Sequence, residues 1–375
     1  MGHHVILCDF LPDNPGRKYA DEYYPISTTD IDSILKLSVS KRIDGILTYA
    51  SDPAASTAAF VAEQLNLPGN PYQSVQILSR KDLFRKFLAA NDFFSPPSET
   101  FDSLAAAREY FNSMNCAVML KPVDSSGSKG VFKITSPGQL ENAFNQALRF
   151  SRVKKIIIEQ YIERKGFQIA GDGLVLDGKL VFRCFGQEHF IDTTDHFVPI
   201  GESFPLQLPG KVQDKIHAEI SRLMTLLNMK GGALNFDIFL NSNDDVYLME
   251  IGPRAGGNMI SETIKYCTGI DPVEYIVKVA LGLEYDEIQQ PVVSNFYSSY
   301  IIHSRFDGIF NDLKIDSSLK DNIVKCSVFV KKGMHVNSFI NSGCTLGYLI
   351  LRFDSAEEML EKMNSMNDKV SVIIL

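Results

Sequence analysis

The stretch that most limits what this chain can fold into is Gly231–Asn258, GGALNFDIFLNSNDDVYLMEIGPRAGGN. Two apolar runs, Ala233–Leu240 and Val246–Ile251, flank the polar turn cluster Asn241–Asp245, and together they predict a β-hairpin. With the turn centred on Asn243–Asp244, Asp237 falls opposite Glu250. Directly opposed residues on one face of a β-ribbon have Cβ atoms about 4.5–5.5 Å apart. Carboxylates that close repel unless one is protonated or a cation sits between them. Hard oxygen ligands on two strands suit a cation such as Mg²⁺ that also bridges phosphates. The next residues, Gly252-Pro253-Arg254-Ala255-Gly256-Gly257-Asn258, offer a guanidinium fork, exposed backbone N–H groups and an amide, a set suited to an anion. Taken alone, the segment reads equally as an acidic surface hairpin with a Gly-rich turn, so the decision rests on its surroundings.

The 375 residues suffice for two or three domains with substantial cores. A formal charge of −8 argues against general nucleic-acid binding, which needs a basic face. No apolar run approaches the length of a membrane span. The amino terminus, MGHHVILCDF, passes straight into a strand-like run without a basic n-region, so no signal peptide is expected. The six cysteines are scattered without a CxxC and read as reduced thiols of a cytoplasmic protein.

Short apolar strands at Val5–Asp9 and Ile43–Thr48 alternate with helical spacing over Asp30–Val39 and Ala54–Leu65. That order predicts a parallel sheet with crossover helices. No GxGxxG accompanies it. Breakers at Asn66–Pro71 close this unit, and Ser79-Arg80-Lys81-Asp82 opens a helix with Ser79 as N-cap. Its apolar stripe is Leu83, Phe84, Phe87 and Leu88, with Lys81 and Arg85 on other faces.

A helix around Ser103–Met114 precedes the strand Ala117–Leu120. The latter leads into Lys121-Pro122-Val123-Asp124-Ser125-Ser126-Gly127-Ser128-Lys129-Gly130-Val131 and a second strand, Val131–Ile134. Small residues in such a loop let backbone N–H groups converge on phosphate oxygens, and Lys121 is placed to aim a charge at the same phosphates. A plain Ser/Gly hairpin turn is the other reading. The loop is not a Walker loop, because GxxxxGK[ST] is absent.

A helix from Ser136-Pro137 to Leu148 precedes the strand Lys155–Glu163, whose backbone can bond an adenine edge while Ile and Tyr pack the ring. Phe167–Leu174 and Lys179–Phe185 form a hairpin through Asp177-Gly178. Asp192–Pro205 reads as a polar loop, Lys211–Met229 as a helix, and two more helices follow the central hairpin. From about Pro291 the chain turns β-rich.

The order Lys81, Lys121 with DSSGSKG, EQYIE, then the Asp237/Glu250 hairpin with GPRAGGN resembles the ATP-grasp superfamily over roughly residues 80–290. The similarity is to its carboxylate–amine ligase type and to the ATP-binding domains of carbamoyl-phosphate synthase and biotin carboxylase. It implies an α/β chain in three parts. Residues 1–79 would be a Rossmann-like pre-ATP-grasp domain and 80–290 the ATP-grasp fold, with a mobile lid at about 113–160 over a mixed or antiparallel sheet. Residues 291–375 would be a small β-rich α+β subdomain.

The resemblance also implies roles. Lys81 and Lys121 would hold ATP phosphates under a flap of Ser125, Ser126, Gly127, Ser128 and Gly130. Glu159, Gln160, Tyr161 and Ile162 would line the adenine, with Glu163 or Gln168 on the ribose. Asp237 and Glu250 would bind two Mg²⁺ ions, for which Mn²⁺ could substitute, and Arg254, with Lys121, would serve catalysis. The family pattern Glu-x-Asn-Pro-Arg has Gly252 at its asparagine position here, so Asn258 or water would complete the metal's shell. His196, Glu202, Gly256 and Gly257 are candidates for the substrate pocket, together with Arg254.

The implied reaction phosphorylates a small-molecule carboxylate and lets an amine attack the acyl phosphate. The partners would be an acid and an amine, with neither nucleic acid nor membrane involved and a homodimer left open. The alternatives are a carboxylase that activates bicarbonate and an ATP-binding protein whose catalysis has decayed, for which Gly252 is the best support.

Overall fold

The chain opens with two three-residue strands, β1 (Ile6–Cys8) and β2 (Glu22–Tyr24), paired in parallel with Ile6 opposite Glu22. The protein is described here by a computed structural model covering residues 2–191, 198–293 and 295–375. Helices α1 (Ile31–Lys41), α2 (Asp52–Gln64) and α3 (Tyr72–Ser79) follow. Asp30 caps α1 by accepting from the Ser33 amide at 3.1 Å. The expected strand at Ile43–Thr48 does not form. A Cβ on Gly45 would stand 2.3 Å from the Ala280 carbonyl oxygen, and the Tyr49 carbonyl accepts from the Ala255 amide at 3.0 Å. Later parts of the chain therefore occupy the flank of this segment where a strand neighbour would sit.

Helix α4 (Lys81–Ala90) starts after Arg80, which pairs with Asp82 at 2.6 Å. Ser79 is the last residue of α3 and not the cap of α4. Residues 98–160 then build a second unit from β3 (Ser98–Phe101), α5 (Leu104–Met114), β4 (Val118–Pro122), β5 (Phe132–Ile134), α6 (Pro137–Phe150) and β6 (Ile156–Gln160). Its antiparallel sheet has the order β3-β6-β4-β5, and Phe111, Leu120, Leu140, Phe144 and Ile158 pack between sheet and helices. Gln139 Oε1 accepts from the Ser136 amide at 3.1 Å, which fixes the start of α6.

The rest of the chain contributes β7 (Ile169–Leu176), β8 (Lys179–Phe190), β9 (Pro199–Phe204), α7 (Gly210–Leu226), β10 (Gly232–Leu240), β11 (Val246–Gly252), α8 (Ile260–Thr268) and α9 (Pro272–Ala280). After these come β12 (Phe296–Ile302), β13 (Gly308–Ile315), β14 (Ile323–Val328), β15 (His335–Val336), β16 (Gly347–Phe353), α10 (Ala356–Asn364), α11 (Met366–Lys369) and β17 (Val370–Ile374). Eight of these strands form one antiparallel sheet, β11-β10-β7-β8-β9-β12-β16-β14. The β-rich tail thus extends the same sheet that carries the central hairpin.

The turn joining β7 to β8 has φ of 48° at Asp177 and 77° at Gly178, the left-handed pair that an Asp-Gly hairpin turn uses. The stretch expected as a polar loop, Asp192–Pro205, contains β9 at the middle of the sheet. A buried carboxylate, Glu202, gives that strand the look of a loop. Asp192–Phe197 lie outside the described residues. Leu223 of α7 packs on Phe185, Phe236 and Leu248 on one face. On the other face Ile264 of α8 meets Leu174, Phe182 and Phe204. Among the described residues no helix is long and apolar enough to cross a membrane.

Strand β7 pairs with β8 at Gly171, opposite Phe185, where φ is 133° and an added Cβ would stand 2.1 Å from the Cys184 carbonyl oxygen. Gly171→Ala is expected to lower stability by about 3 kcal/mol through strain and backbone displacement. Chemical denaturation of the two proteins measures it; an unchanged midpoint would contradict this register.

Candidate active site

The hairpin places Asp237 opposite Glu250, and the register slips by one just beyond, so that Ile238 faces Leu248. The extra residue is Met249, whose carbonyl accepts from Arg85 Nη2 at 2.9 Å. The register carries across the sheet. Asp237 is opposite Ala170, Ala170 opposite Gly186, and Glu188 opposite Glu202. Residues two apart on a strand share a face. Glu250, Asp237, Gln168, Glu188 and Glu202 therefore line one side of a cavity of about 510 Å³ between the eight-stranded sheet and the residue 98–160 unit.

Asp237 cannot hold its charge freely in this setting. Burial, then repulsion from Glu250, pushes its carboxyl up to about 7, while Gln168 Nε2 donates to Oδ1 at 3.2 Å. Burial pushes Glu250 the same way, but Lys81 and, behind it, Arg254 and Lys121 outweigh it and hold the group below its ordinary value. Lys81 Nζ lies 3.0 Å from Glu250 Oε2 and donates to the Ser125 carbonyl at 3.0 Å. A divalent cation between Asp237 and Glu250 would remove their repulsion. Among the described residues no group of three or more His, Cys, Asp or Glu forms a complete metal shell, so phosphate and water oxygens would supply the remaining ligands. Asn258 lines the cavity, and its Oδ1 accepts from the Tyr348 hydroxyl at 3.4 Å.

Arg254 makes a bidentate pair with Asp52 at the start of α2, Nε to Oδ1 at 2.7 Å and Nη2 to Oδ2 at 2.8 Å. Gly252 makes room for it, since a Cβ there would sit 3.1 Å from Arg254 Cζ. Gly257 lines the cavity, whereas the Gly256 amide points away and donates to Asp172 at 2.9 Å. Asp172 is buried and also accepts from Asn235 Nδ2 at 3.0 Å. Burial raises it to about 6 against those donors.

The residue 98–160 unit meets the body through Glu159, which is 0% exposed. Lys121 Nζ lies 2.8 Å from its Oε2 and Arg85 Nε 3.1 Å from its Oε1. Burial pushes Glu159 up, but Arg85 and Lys121 outweigh it and hold the carboxyl at about 2. Glu159 therefore serves this ion triad and does not line the cavity. Gln160, Tyr161 and Ile162 do line it, with Lys133 Nζ 3.7 Å over the Tyr161 ring.

Ser125, Ser126, Gly127 and Ser128 border the cavity, and the Gly127 carbonyl accepts from the Ser342 amide at 3.4 Å. Gly130 turns instead toward Phe150 and Pro122. Of the two ribose candidates, Glu163 is exposed outside the cavity, and Gln168 lines it while bonded to Asp237. His196 lies outside the described residues.

Asp52, Arg85, Asp172 and Glu188 belong to the site although the sequence reading gave them no place in it. Arg85 left a trace, as a cation one turn from Lys81 outside the apolar stripe of its helix, and Glu188 stood out only beside His189, a pair without metal-ligand spacing.

The chain belongs to the family described as the D-ala D-ala ligase C-terminus, an ATP-grasp ligase family whose model matches residues 89–278. It is 23% identical over 299 residues to the carbamoyl phosphate synthase large chain of Thermotoga neapolitana, a match covering 76% of this chain and 26% of that one. The chain thus spans about a quarter of the length of these relatives. The fold is similar to that of an L-amino acid ligase from Bacillus licheniformis, with a TM-score of 0.83, 22% identity, and coverage of 100% of this chain and 93% of that one. It is also similar to the biotin carboxylase domain of Hydrogenobacter thermophilus 2-oxoglutarate carboxylase, in complex with MgADP and bicarbonate. That match has a TM-score of 0.74 and 16% identity, and covers 98% of this chain and 84% of that one.

Glu159→Gln leaves Arg85, itself 2% exposed, without its carboxylate, and is expected to cost about 3–5 kcal/mol in denaturation. His189 donates or accepts with Ser203 Oγ at 2.7 Å, and burial pushes its ring from 6.5 down to about 4. The folded state thus keeps His189 neutral where the unfolded chain takes up a proton. Its stabilisation is present above pH 6.5 and lost as pH falls toward 4. His189→Gln is expected to remove about 3 kcal/mol of that acid-induced loss, measured as the difference between variant and wild-type stability across this range.

Proposed function

We propose that this protein is an ATP-dependent ligase that phosphorylates a small-molecule carboxylate and joins the acyl group to an amine, releasing ADP and phosphate. The observation that carries this reading is the facing pair Asp237–Glu250, with Lys81 3.0 Å from Glu250, beside a cavity that also holds Lys121, Arg254 and the Ser125–Ser128 flap. A carboxylate is a poor acyl donor because its leaving group would be oxide. Transfer of the γ-phosphoryl group replaces that with phosphate.

In this reading residues 80–290 are the ATP-grasp body, with the lid at about 113–160. Lys81 and Lys121 hold ATP phosphates, and the flap amides close over them. Gln160, Tyr161 and Ile162 receive the adenine. Asp237 and Glu250, helped by Asn258, hold Mg²⁺, which when bound spreads the charge of the transferring group. Arg254, oriented by Asp52, faces the acyl phosphate, and the closed lid excludes water from it. Gly252 supplies no ligand atom. In its place it provides room for the guanidinium of Arg254.

A second reading, activation of bicarbonate by a carboxylase, draws on the likeness to the carbamoyl phosphate synthases and the biotin carboxylase domain. Phosphate release measured over a matrix of acids and amines separates the two. The ligase requires dependence on both, with hydroxylamine trapping a hydroxamate, whereas a carboxylase requires bicarbonate. Glu250→Gln and Lys121→Ala are expected to lower turnover by about a thousandfold while the protein stays folded by circular dichroism. Full activity in either variant would remove that residue from the mechanism.

A further inference from the structure

Asn235 stands two residues before Asp237 on β10 and directly opposite Gly252 on β11. Residues two apart on a strand share a face. Asn235 with Gly252, and Asp237 with Glu250, are therefore neighbouring rungs on one face of the ribbon, and all but Gly252 line the same cavity. On the Asn235 rung β11 contributes no side chain, and a Cβ at Gly252 would already stand 3.1 Å from Arg254 Cζ. Any side-chain ligand on this rung has to come from β10.

The Asn235 amide is fixed from behind. Nδ2 donates to the Gly171 carbonyl at 3.2 Å and to Asp172 Oδ1 at 3.0 Å, both on β7. An amide nitrogen has two hydrogens, and both are engaged there. Exchanging nitrogen and oxygen would set Oδ1 against two acceptors, so the network assigns one orientation. Asp172 is 1% exposed and is itself held by the Gly256 amide at 2.9 Å, which makes it a firm anchor. Oδ1 is thereby turned away from β7, and among the described residues no donor bonds it. Arg254 directs its guanidinium elsewhere, to Asp52 and to the Ala255 carbonyl at 3.0 Å. Such an oxygen takes a donor or a cation, and the phosphate oxygens read into this cavity are neither.

We propose that Asn235 Oδ1 is a protein ligand of the Mg²⁺ held by Asp237 and Glu250, supplied from β10 on the rung where β11 has only Gly252. This rests on the ligase reading above, in which the cavity takes a metal–nucleotide complex. Hard divalent cations accept amide carbonyl oxygens beside carboxylates. A neutral oxygen adds a ligand without adding a third negative charge to a pair that already repels. Asp172 touches no reactant and acts as a positioning residue, since its bond to Nδ2 keeps the oxygen presented.

Calorimetric titration with a non-hydrolysable ATP analogue, with and without metal, tests this. Mg²⁺ is expected to tighten binding of the analogue to the wild-type protein. Asn235→Ala should cut that gain about tenfold while metal-free binding of the analogue is kept. Asn235→Cys separates ligation from a structural role, because a thiolate prefers Cd²⁺ to Mg²⁺. The ratio of analogue affinity with Cd²⁺ to that with Mg²⁺ should rise about tenfold above the ratio in Asn235→Ala. Cys116 and Cys326, exposed in both variants, cancel in that comparison. An undiminished Mg²⁺ gain in Asn235→Ala, or equal ratios in the Ala and Cys variants, would overturn the proposal. If the wild-type protein binds no analogue, or binds it without regard to Mg²⁺, the ligase reading falls too, whereas a Mg²⁺ gain untouched by the substitutions removes only this inference.

Discussion

Two carboxyl groups held face to face in a protein interior are an electrostatic liability, and the structure around Asp237 and Glu250 is arranged to contain it. The rigid ribbon denies the pair any chance to separate. Lys81, from the first turn of α4, stabilises Glu250 as an ion at 3.0 Å. Asp237 receives only an amide, from Gln168 at 3.2 Å, and its carboxyl remains near neutrality at about 7. The asymmetry leaves room for one more positive charge at this point. In the ligase reading a metal–nucleotide complex would bring it, together with phosphates for the neighbouring lysines, so that ligand and site would neutralise one another.

The Glu159 triad performs a different task. Arg85 belongs to the body, Glu159 and Lys121 to the residue 98–160 unit, and all three meet away from solvent. A buried pair is seldom a large source of net stability, but it strongly disfavours any arrangement that strands one partner. The triad therefore specifies where β4 and β6 come to rest over the site. It also puts Lys121 at the cavity edge with its charge already balanced from behind.

Local pattern told most where the determining interaction is local. Asp237 does face Glu250, but the register assumed from the turn is off by one beside the turn, where Ile238 faces Leu248, and the extra residue Met249 restores the pair. Lys121 and the Ser/Gly flap were legible from local pattern. Asp52 was not, because it meets Arg254 across 202 residues of chain, and nothing near Asp52 announces a partner. Glu159 looked like a lining residue from its place in EQYIE, and it lies opposite Met119 on the face that borders the cavity, yet Arg85 and Lys121 cover its carboxylate. β9 was misread as loop because a buried carboxylate, Glu202, broke its apolar pattern. Polar residues inserted in a buried strand defeat hydrophobic periodicity at the places where chemistry is done.

The hydrogen bond from Ser342 to Gly127, at 3.4 Å, ties the flap to a segment more than two hundred positions later in the chain. That segment leads directly into β16, a member of the same sheet as Asp237. The roof of the chamber and its floor are consequently stitched together by the carboxy-terminal stretch. Substitutions around Ser342 would thus reach the resting position of the flap without touching Lys81, Asp237 or Glu250.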